Sequence, residues 1–328
     1  MERGNSGSPD LTGWVPFGVR WGDADGQLDW CHIGESPFTD PFFGQTIDRC
    51  RRELGKEDHV TSLEALDDLP IARPPAAFIF HTSRCGSTLV AQILASVPRF
   101  TVISEAFILS SILRPPARFF TRDHEEHIWL LRNVVNALAL PRRDLGAPCF
   151  IKFSSRDVHE LPLIRSAFPE VPWVFLYREP LEVVSALAGI QRDVLPTGLI
   201  ESGLLGGDLE TVRGMRPAEF WARVLSRCYQ AALREFDPAK TRLVNYRQLP
   251  EIVWTSLLSD FGIACSDEEI ESMRSASRFN AKAPARLFFQ DTDHKRSMTT
   301  DEIRAVVEEW PRRDYDRLES LRLSSSGS

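Results

Sequence analysis

The sequence predicts an α/β fold, a three-layer sandwich in which a central parallel sheet of about five strands lies between two layers of helices. From Pro74 onward, short β-branched and aromatic runs alternate with segments of helical periodicity, which is typical of consecutive βαβ units. The short runs are almost entirely apolar, as expected of parallel strands that are buried on both faces. The predicted strands are Ala77–His81, Phe100–Ser104, Cys149–Phe153, Trp173–Tyr177 and Arg242–Asn245.

Helical segments separate these strands. An apolar stripe of helical period follows the first strand and stops at Pro98, which predicts a helix there. The stripe consists of Leu89, Val90, Ile93, Leu94 and Val97. Further helices are predicted at about 124–139, 157–167, 180–190, 217–235, 250–261 and 300–322.

Residues 1–72 differ in character from the rest of the chain. They are rich in Trp, Phe, Gly and Asp, and they sustain neither a helical nor a strand period. We therefore expect an irregular N-terminal extension that wraps the core, followed by one α/β domain at 73–323. The serine-rich end at 324–328 is expected to be a flexible tail.

The chain is acidic, with 39 Lys and Arg against 46 Asp and Glu and a formal net charge of -7. This balance argues against broad adhesion to nucleic acid or to a membrane surface, so an anionic ligand would need a local cationic pocket. No segment approaches the ~20 continuous apolar residues of a membrane span, and the polar N-terminus does not resemble a signal peptide. The six cysteines are far apart, which favours reduced core thiols over a zinc site or a disulfide scaffold. These features predict a cytoplasmic protein.

The most informative stretch is the turn Thr82–Thr88, between the first predicted strand and its helix. At such a turn the first N–H groups of the helix have no backbone partner and the helix dipole favours an anion. Gly86 would let a phosphate approach the main chain, while hydroxyl groups and a guanidinium add donors. The candidate ligands in the turn are Ser83, Arg84, Cys85, Gly86, Ser87 and Thr88.

Other interpretations of this turn remain open. It is also compatible with a capped helix start that holds no ligand. It is not a Walker A loop, because the first glycine and the lysine of that motif are absent. Cys85 lies where a helix N-terminus lowers the pKa of a thiol, so a thiolate nucleophile is an alternative. A phosphatase-type loop, however, would have an arginine six residues later, where this chain has Ala91.

Two segments resemble the sulfotransferases that use 3'-phosphoadenosine 5'-phosphosulfate (PAPS). Thr82–Thr88 is similar to their 5'-phosphosulfate loop, in a bacterial-type variant that carries Arg84 instead of a lysine. Trp173–Ser185 resembles the segment in which an arginine at a strand end and a serine in the next helix hold the 3'-phosphate, here Arg178 and Ser185. The resemblance extends over about 76–296 and implies the P-loop-like fold of that family.

The 3'-phosphate segment departs from the family pattern at one position. Ser185 follows Arg178 by seven residues, whereas the family usually has eight, and one residue turns a helical side chain by about 100°. Arg178 itself has an alternative interpretation as a surface ion pair with Glu179 or Glu182. The assignment of Arg178 to the phosphate is therefore better supported than that of Ser185.

The resemblance implies further contacts with the nucleotide. Tyr246, after the fifth predicted strand, is similar to a family tyrosine that faces the adenine; a half-buried strand-end residue is an equal alternative. The family commonly folds a basic segment over the nucleotide near its C-terminus. Lys282 and Lys295 are the candidates for that segment in this chain.

The resemblance also implies in-line transfer of a sulfuryl group from PAPS to a hydroxyl or amine of a small-molecule acceptor, without a metal. Glu105 ends the second predicted strand, and the carboxyl ends of neighbouring parallel strands share one crevice. We expect Glu105 to be the general base, with its pKa raised by burial near Phe107. Lys152, unusual in a buried strand unless it meets an anion, would support the leaving bridging oxygen, and Arg84 would stabilise charge. Position 154, a catalytic histidine in part of the family, is Ser154.

Two other functions are compatible with the same sheet: a nucleotide-dependent phosphotransferase or NTPase, and a non-catalytic protein that holds an adenosine phosphate. The missing Walker lysine counts against the first. His124 and His127 are spaced i and i+3 rather than i and i+4, which favours a solvated helix face over a metal site. The class of acceptor and the oligomeric state are left open by the sequence.

Overall fold

The computed structural model describes residues 10–22, 26–116, 124–140, 147–189, 205, 209–280, 283–287 and 299–325. In chain order the strands are β1 (Trp14–Trp21), β2 (Gly26–His32), β3 (His59–Ser62), β4 (Ala77–His81), β5 (Thr101–Ser104), β6 (Cys149–Lys152), β7 (Trp173–Tyr177), β8 (Thr241–Asn245), β9 (Phe279–Asn280) and β10 (Ala283–Leu287).

The helices surround these strands. They are α1 (Phe43–Leu54), α2 (Ser87–Ala95), α3 (Phe107–Leu113), α4 (His124–Ala139), α5 (Leu161–Ala167), α6 (Pro180–Ala188), α7 (Leu209–Gly214), α8 (Pro217–Arg234), α9 (Asp267–Ser277), α10 (Asp301–Glu309) and α11 (Arg312–Ser325).

A five-stranded parallel sheet, with strand order β5-β6-β4-β7-β8, forms the centre of the described structure. It confirms the predicted fold class and all five predicted strands, each to within one residue at either end. From β4 the chain builds β5 and β6 on one side and then β7 and β8 on the other. The strand order therefore reverses at β4, and a crevice opens at its carboxyl end.

The register of the sheet brings the ends of the strands level. Lys152 at the end of β6 lies opposite Ser104 of β5 on one side and Ile79 of β4 on the other. His81 at the end of β4 lies opposite Leu176 of β7. The residues that follow β4, β5, β6 and β7 consequently line a single edge of the sheet.

Each face of the sheet has its own hydrophobic core. Ile79 of β4 faces a core that includes residues of α2 and α9, whereas Phe78 and Phe80 face the aromatic core on the other side. In the aromatic core, Phe80 stacks on Phe153 with ring centroids 4.9 Å apart and meets Trp173 edge-on at 5.7 Å. Because both faces of the sheet are buried, the sequences of these strands are almost continuously apolar.

Four predicted helices are confirmed: the helix after the first strand is α2, 124–139 is α4, 180–190 contains α6, and 217–235 contains α8. The helix predicted at 157–167 begins with a 3-10 turn at Asp157–Glu160 before α5. The sequence did not predict α1, α3, α7 or α9.

Two predicted helices differ from the structure. The segment 250–261 contains a π-helix at Val253–Leu257 that ends in one α-helical turn. The single helix predicted over 300–322 is two helices, α10 and α11. The break coincides with Pro311, which has no N–H to donate and whose ring clashes with the preceding helical turn.

The prediction of an irregular N-terminal extension is wrong. β1, β2 and β3 form an antiparallel sheet in that order, with α1 between β2 and β3, and β1 packs against α3 and α4. The alternating pattern is hidden because the register of β1 shifts between Pro16 and Gly18, and because β2 buries the consecutive residues 28–31. Within this sheet, the Nε1–H group of Trp30 donates to Thr61 Oγ1 at 2.8 Å.

The chain end also departs from expectation, because α11 continues through Ser325 and only 326–328 of the expected tail lie outside the described residues. The cysteines are free thiols, and all except Cys265 are buried.

Among the described helices, none combines the length and the apolar character of a membrane-crossing segment.

Phe80 provides a test of the aromatic core. Phe80→Ala removes a fully buried ring and is expected to lower the free energy of unfolding by about 3–5 kcal/mol, measured by urea denaturation. Phe107→Ala is the matched control, because that ring is 70% exposed and its loss should cost less than about 0.5 kcal/mol. Equal losses for the two variants would contradict the assignment of the core.

Candidate active site

The turn Thr82–Thr88 connects β4 directly to α2 at the crevice. Arg84 and Gly86 have positive φ angles of 61° and 85°, and Gly86 is the N-cap residue of α2. The N–H groups in the first turn of α2 have no intrahelical acceptor. Thr82 Oγ1 is buried and has no hydrogen-bond partner within the described residues. Free helix amides and an unpaired hydroxyl suit an oxyanion.

Gly86 is required by its neighbours as well as by its backbone angle. A Cβ atom at this position would lie 2.7 Å from Leu249 Cδ1 and 3.0 Å from Tyr246 Cδ2. The sequence suggested that the missing side chain admits a phosphate. In the structure, the space beside Gly86 is filled by Tyr246 and Leu249, which follow β8 and pack over the turn.

Cys85 is turned into the protein. Its thiol is 1% exposed and donates a hydrogen bond to the carbonyl oxygen of Thr82 at 2.8 Å. A buried thiol that is bonded to the main chain is not placed to attack a ligand in the crevice, which argues against the thiolate nucleophile considered from sequence. Arg84 is exposed, and Ser83 Oγ lies 3.4 Å from Ser155 Oγ, so the turn contacts the segment after β6.

Glu105, Lys152 and His81 form a compact cluster at the edge of the sheet. Glu105 has a φ angle of 55°, and its N–H donates to the carbonyl oxygen of Lys152 at 2.7 Å. The fully buried ammonium of Lys152 contacts the carboxylate of Glu105 and lies 3.4 Å from Ser104 Oγ. The expectation that Lys152 meets an anion is confirmed, and the anion is Glu105.

His81 is held in its charged form by two main-chain acceptors. Its Nδ1 lies 2.9 Å from the carbonyl oxygen of Thr82, and its Nε2 lies 3.0 Å from that of Phe153. A carbonyl oxygen only accepts, so both ring nitrogens must carry a proton. Glu105 Oε1, 3.5 Å from Nε2, adds an opposite charge. The place of His81 at the end of the first predicted strand favoured packing, or support of a neighbouring residue, over acid–base chemistry.

The electrostatics of the cluster reverse one expectation. Burial raises the pKa of Glu105, but the hydrogen bonds and charges of His81 and Lys152 outweigh it and lower that pKa to about 2. The predicted rise in the pKa of Glu105 is therefore wrong, and Phe107 is too exposed to shield the carboxylate. Burial and the Lys152 charge lower the pKa of His81, yet its contacts with Cys85 and Glu105 raise it to about 9 overall.

Arg178 reaches the turn from the end of β7 and is 3% exposed. Its Nε donates to Glu182 Oε2 at 2.6 Å, and its NH1 lies 3.4 Å from the carbonyl oxygen of Arg84. The guanidinium stacks over the Tyr246 ring, 4.0 Å from the ring centroid. The ion pair with Glu182 weighed from sequence is present, but it is buried rather than on the surface.

The remaining predicted nucleotide contacts have mixed outcomes. Tyr246 is nearly buried and packs between Gly86 and the guanidinium of Arg178. Ser185 is buried in α6, where its Oγ lies 3.0 Å from Thr299 Oγ1. Lys282 and Lys295 lie outside the described residues.

A cavity of about 230 Å³ opens beside the turn, between the segment after β6 and the helices α6 and α8. The cavity was not predicted from the sequence. Ser154, Ser155 and Arg156 directly follow a predicted strand, and residues in that position of a parallel sheet face the crevice, so their position was a signal for it. The described residues that line it are Thr82, Ser83, Ser154, Ser155, Arg156, His159, Val183, Leu187, Trp221, Val224, Leu225 and Cys228.

His159 and His127 lie outside the charged cluster. Burial and the charges of Arg114, Arg234 and Arg227 lower the pKa of His159 to about 4, so the cavity wall carries a neutral imidazole at neutral pH. His127 Nε2 lies 2.7 Å from a main-chain carbonyl oxygen. The described part of the chain contains no group of three or more His, Cys, Asp or Glu side chains arranged to hold a metal ion.

Comparisons with known proteins identify the family of the chain. The profile of the Sulfotransferase family matches residues 75–267, more than half of the chain. Sulfotransferase STF1 from Mycobacterium tuberculosis H37Rv is 14% identical, with a TM-score of 0.41 over 74% of this chain and 78% of that one. The sulfotransferase domain of the Synechococcus PCC 7002 olefin synthase is 15% identical, with a TM-score of 0.44 over 74% and 96%. No curated protein matches.

A mouse sulfotransferase, SULT7A1, whose structure contains PAP, is 12% identical, with a TM-score of 0.34 over 80% of this chain and 87% of that one. PAP is adenosine 3',5'-bisphosphate, the form of PAPS that remains after the sulfuryl group has left. The family match is the finding that identifies the chain. The protein is an enzyme that belongs to the PAPS-dependent sulfotransferase family.

Proposed function

We propose that this chain transfers the sulfuryl group of PAPS to a hydroxyl or amine of a small-molecule acceptor, with Glu105 as the general base. The observation that carries the proposal is the convergence, at one crevice, of an oxyanion-binding turn, the buried ammonium of Lys152 and a carboxylate. Bound PAPS supplies the sulfuryl group: the acceptor forms a bond to sulfur, the bond from sulfur to the bridging oxygen breaks, and PAP leaves. The acceptor proton passes to Glu105.

The nucleotide is held from two sides in this proposal. The amides and hydroxyls of the turn bind the 5'-phosphosulfate, and Thr82 Oγ1, buried without a partner in the described residues, gains one. Arg84 supplies a further cation. Arg178 binds the 3'-phosphate while keeping Glu182, because a guanidinium has donors enough for two oxyanions. Ser185, Tyr246 and Lys282 complete the proposed nucleotide site.

The catalytic step depends on a change of partner by Lys152. With His81 and the ammonium of Lys152 both against its carboxylate, Glu105 is a weak base, since its pKa is about 2. When the ammonium donates instead to the bridging oxygen, it stabilises the charge that develops there and withdraws from Glu105. The carboxylate then gains proton affinity at the moment when the acceptor loses its proton.

His81 keeps the cluster cationic. Its imidazolium is fixed by two carbonyl oxygens and lies beside the carboxylate of Glu105. Two cations against one carboxylate leave a net positive charge beneath the turn, which favours a dianionic sulfate-phosphate anhydride. We assign His81 the role of a positioning residue, since its own protons are directed to the main chain.

Glu105→Gln tests the base. The variant should lose about 10²–10⁴-fold in kcat, because the amide accepts no proton, while its dissociation constant for PAP stays within about threefold. Transfer from labelled PAPS to a panel of hydroxyl and amine acceptors measures the first quantity, and calorimetric titration the second. Glu53→Gln, on an exposed side chain of α1, is the matched control.

The outcome separates the competing functions. Unchanged turnover in Glu105→Gln would remove Glu105 from the mechanism. Tight PAP binding by the wild-type chain without transfer to any acceptor would support a non-catalytic binding protein. Magnesium-dependent release of γ-phosphate from ATP would support a phosphotransferase or NTPase.

Arg178→Lys tests the 3'-phosphate assignment. A lysine keeps the charge but loses the planar fork, so PAP should bind about tenfold more weakly while adenosine 5'-phosphate binds within about twofold of wild type. Calorimetry with the two nucleotides measures the difference. Equal weakening for both nucleotides would mean that Arg178 acts only through its packing with Tyr246 and Glu182.

The charge state of His81 predicts a pH dependence. Because its pKa of about 9 lies above the ordinary value of 6.5, its contribution to stability is complete below pH 6.5 and is lost as the pH rises through 9. Nitrogen NMR of the seven histidines should therefore show one imidazolium that persists at pH 8. Seven neutral rings at pH 8 would contradict the geometry described for His81.

A further inference from the structure

The cavity beside the turn has an uneven chemistry. Its far wall, made by α6 and α8, is apolar and includes Val183, Leu187 and Trp221. Its near wall is polar and includes hydroxyls of the turn and of the segment after β6. A molecule that fills it must therefore have an apolar body with a polar group at the turn.

The charge of the residues that line the cavity differs from that of the chain as a whole. Acidic residues outnumber basic ones in the whole sequence, yet the described residues that line the cavity include no carboxylate. They include one cation, Arg156, and the neutral His159. The guanidinium of Arg156 is half-buried and has no hydrogen-bond or ion-pair partner within the described residues.

A second donor in the wall is also unpaired. Trp221 Nε1 is buried and has no hydrogen-bond acceptor within the part of the chain that the structure describes. Within the described residues, the cavity wall therefore has two unpaired donors, Arg156 and Trp221, beside the unpaired hydroxyl of Thr82 at the turn. A guanidinium without a carboxylate partner is suited to a planar anion. His159 in the same wall is kept neutral by burial and by the charges of Arg114, Arg234 and Arg227, so it brings no negative charge against an anion.

The volume limits the size of the occupant. A cavity of about 150 Å³ is known to admit one benzene ring. The 230 Å³ found here has room for one ring with short substituents.

We propose that the acceptor is a small hydroxy acid with an apolar, ring-sized body, whose carboxylate is bound by Arg156 while its hydroxyl faces the turn. This inference rests on the proposed function, because it names the acceptor class of the same site. Arg156 is then the residue that determines specificity for the acceptor, and it takes no part in proton transfer.

The test compares 4-hydroxyphenylacetate with 4-hydroxyphenylacetamide, two probes of equal size that differ only in the charge of one group. Their dissociation constants are measured by calorimetry on the full chain, with and without PAP. The carboxylate should bind about 10- to 100-fold more tightly than the amide, as expected of hydrogen bonds to a charged group. In Arg156→Gln the preference should fall below about twofold, and Arg156→Lys should restore part of it.

Kinetics and a control complete the test. In transfer assays, Arg156→Gln should raise the KM for the carboxylate probe about tenfold or more and leave kcat within about threefold. Arg274→Gln, on an exposed arginine of α9 at the opposite face of the sheet, should change neither quantity.

Several results would overturn the proposal. Equal binding of the two probes, or no binding of either, would exclude the hydroxy-acid class while leaving PAP binding and the proposed function intact. A higher KM for PAPS in Arg156→Gln with unchanged acceptor preference would mean that the guanidinium serves the donor. Failure of the wild-type chain to bind PAP would instead contradict the proposed function itself.

Discussion

The ammonium of Lys152 lies fully buried at the end of a central strand, and the arrangement of the site follows from the need to neutralise it. An unpaired charge in the interior costs several kcal/mol, so Glu105 must be held against it. The chain achieves this by placing Glu105 in a positive φ conformation directly after β5, where its N–H extends the bonding with β6. The carboxylate then meets both Lys152 and His81, and three parallel strands are tied together at the crevice.

A second rigid group lies on the other side of the turn. Arg178 is fixed by Glu182 and by the ring of Tyr246, and the carbonyl oxygen of Arg178 accepts a hydrogen bond from Tyr229 at 2.7 Å. Tyr246 in turn requires the absence of a side chain at Gly86. The turn therefore lies between a charge cluster on β4, β5 and β6 and a stacked guanidinium after β7. The nucleotide site proposed above needs fixed cations at two separated points, and the strand order places a candidate at each.

The sequence predicted the parts of the fold that depend on simple burial. Strands buried on both faces have a composition that can be recognised locally. The shared crevice at the carboxyl ends of parallel strands predicted that Glu105 lies near the turn after β4, and its carboxylate is in fact 3.5 Å from His81, the last residue of β4. The N-terminal sheet was missed because a register shift at Pro16 and Gly18 interrupts its alternation. The direction of the pKa shift of Glu105 was missed because it depends on His81, whose charge follows from two carbonyl oxygens that only the folded chain brings together.

The binding of an anion depends more on the distribution of charge within the site than on the net charge of the whole chain. The net charge of -7 disfavours anions at long range, and salt screens that repulsion beyond about 8–10 Å. Close to the turn, the imidazolium of His81 and the ammonium of Lys152 exceed the single carboxylate of Glu105, and the lining of the adjacent cavity has no described acid. Because these charges lie in a medium of low dielectric, they act more strongly on a bound anion than exposed carboxylates do. An acidic protein can therefore bind an anionic donor without a basic surface, provided that the cations are buried at the binding site.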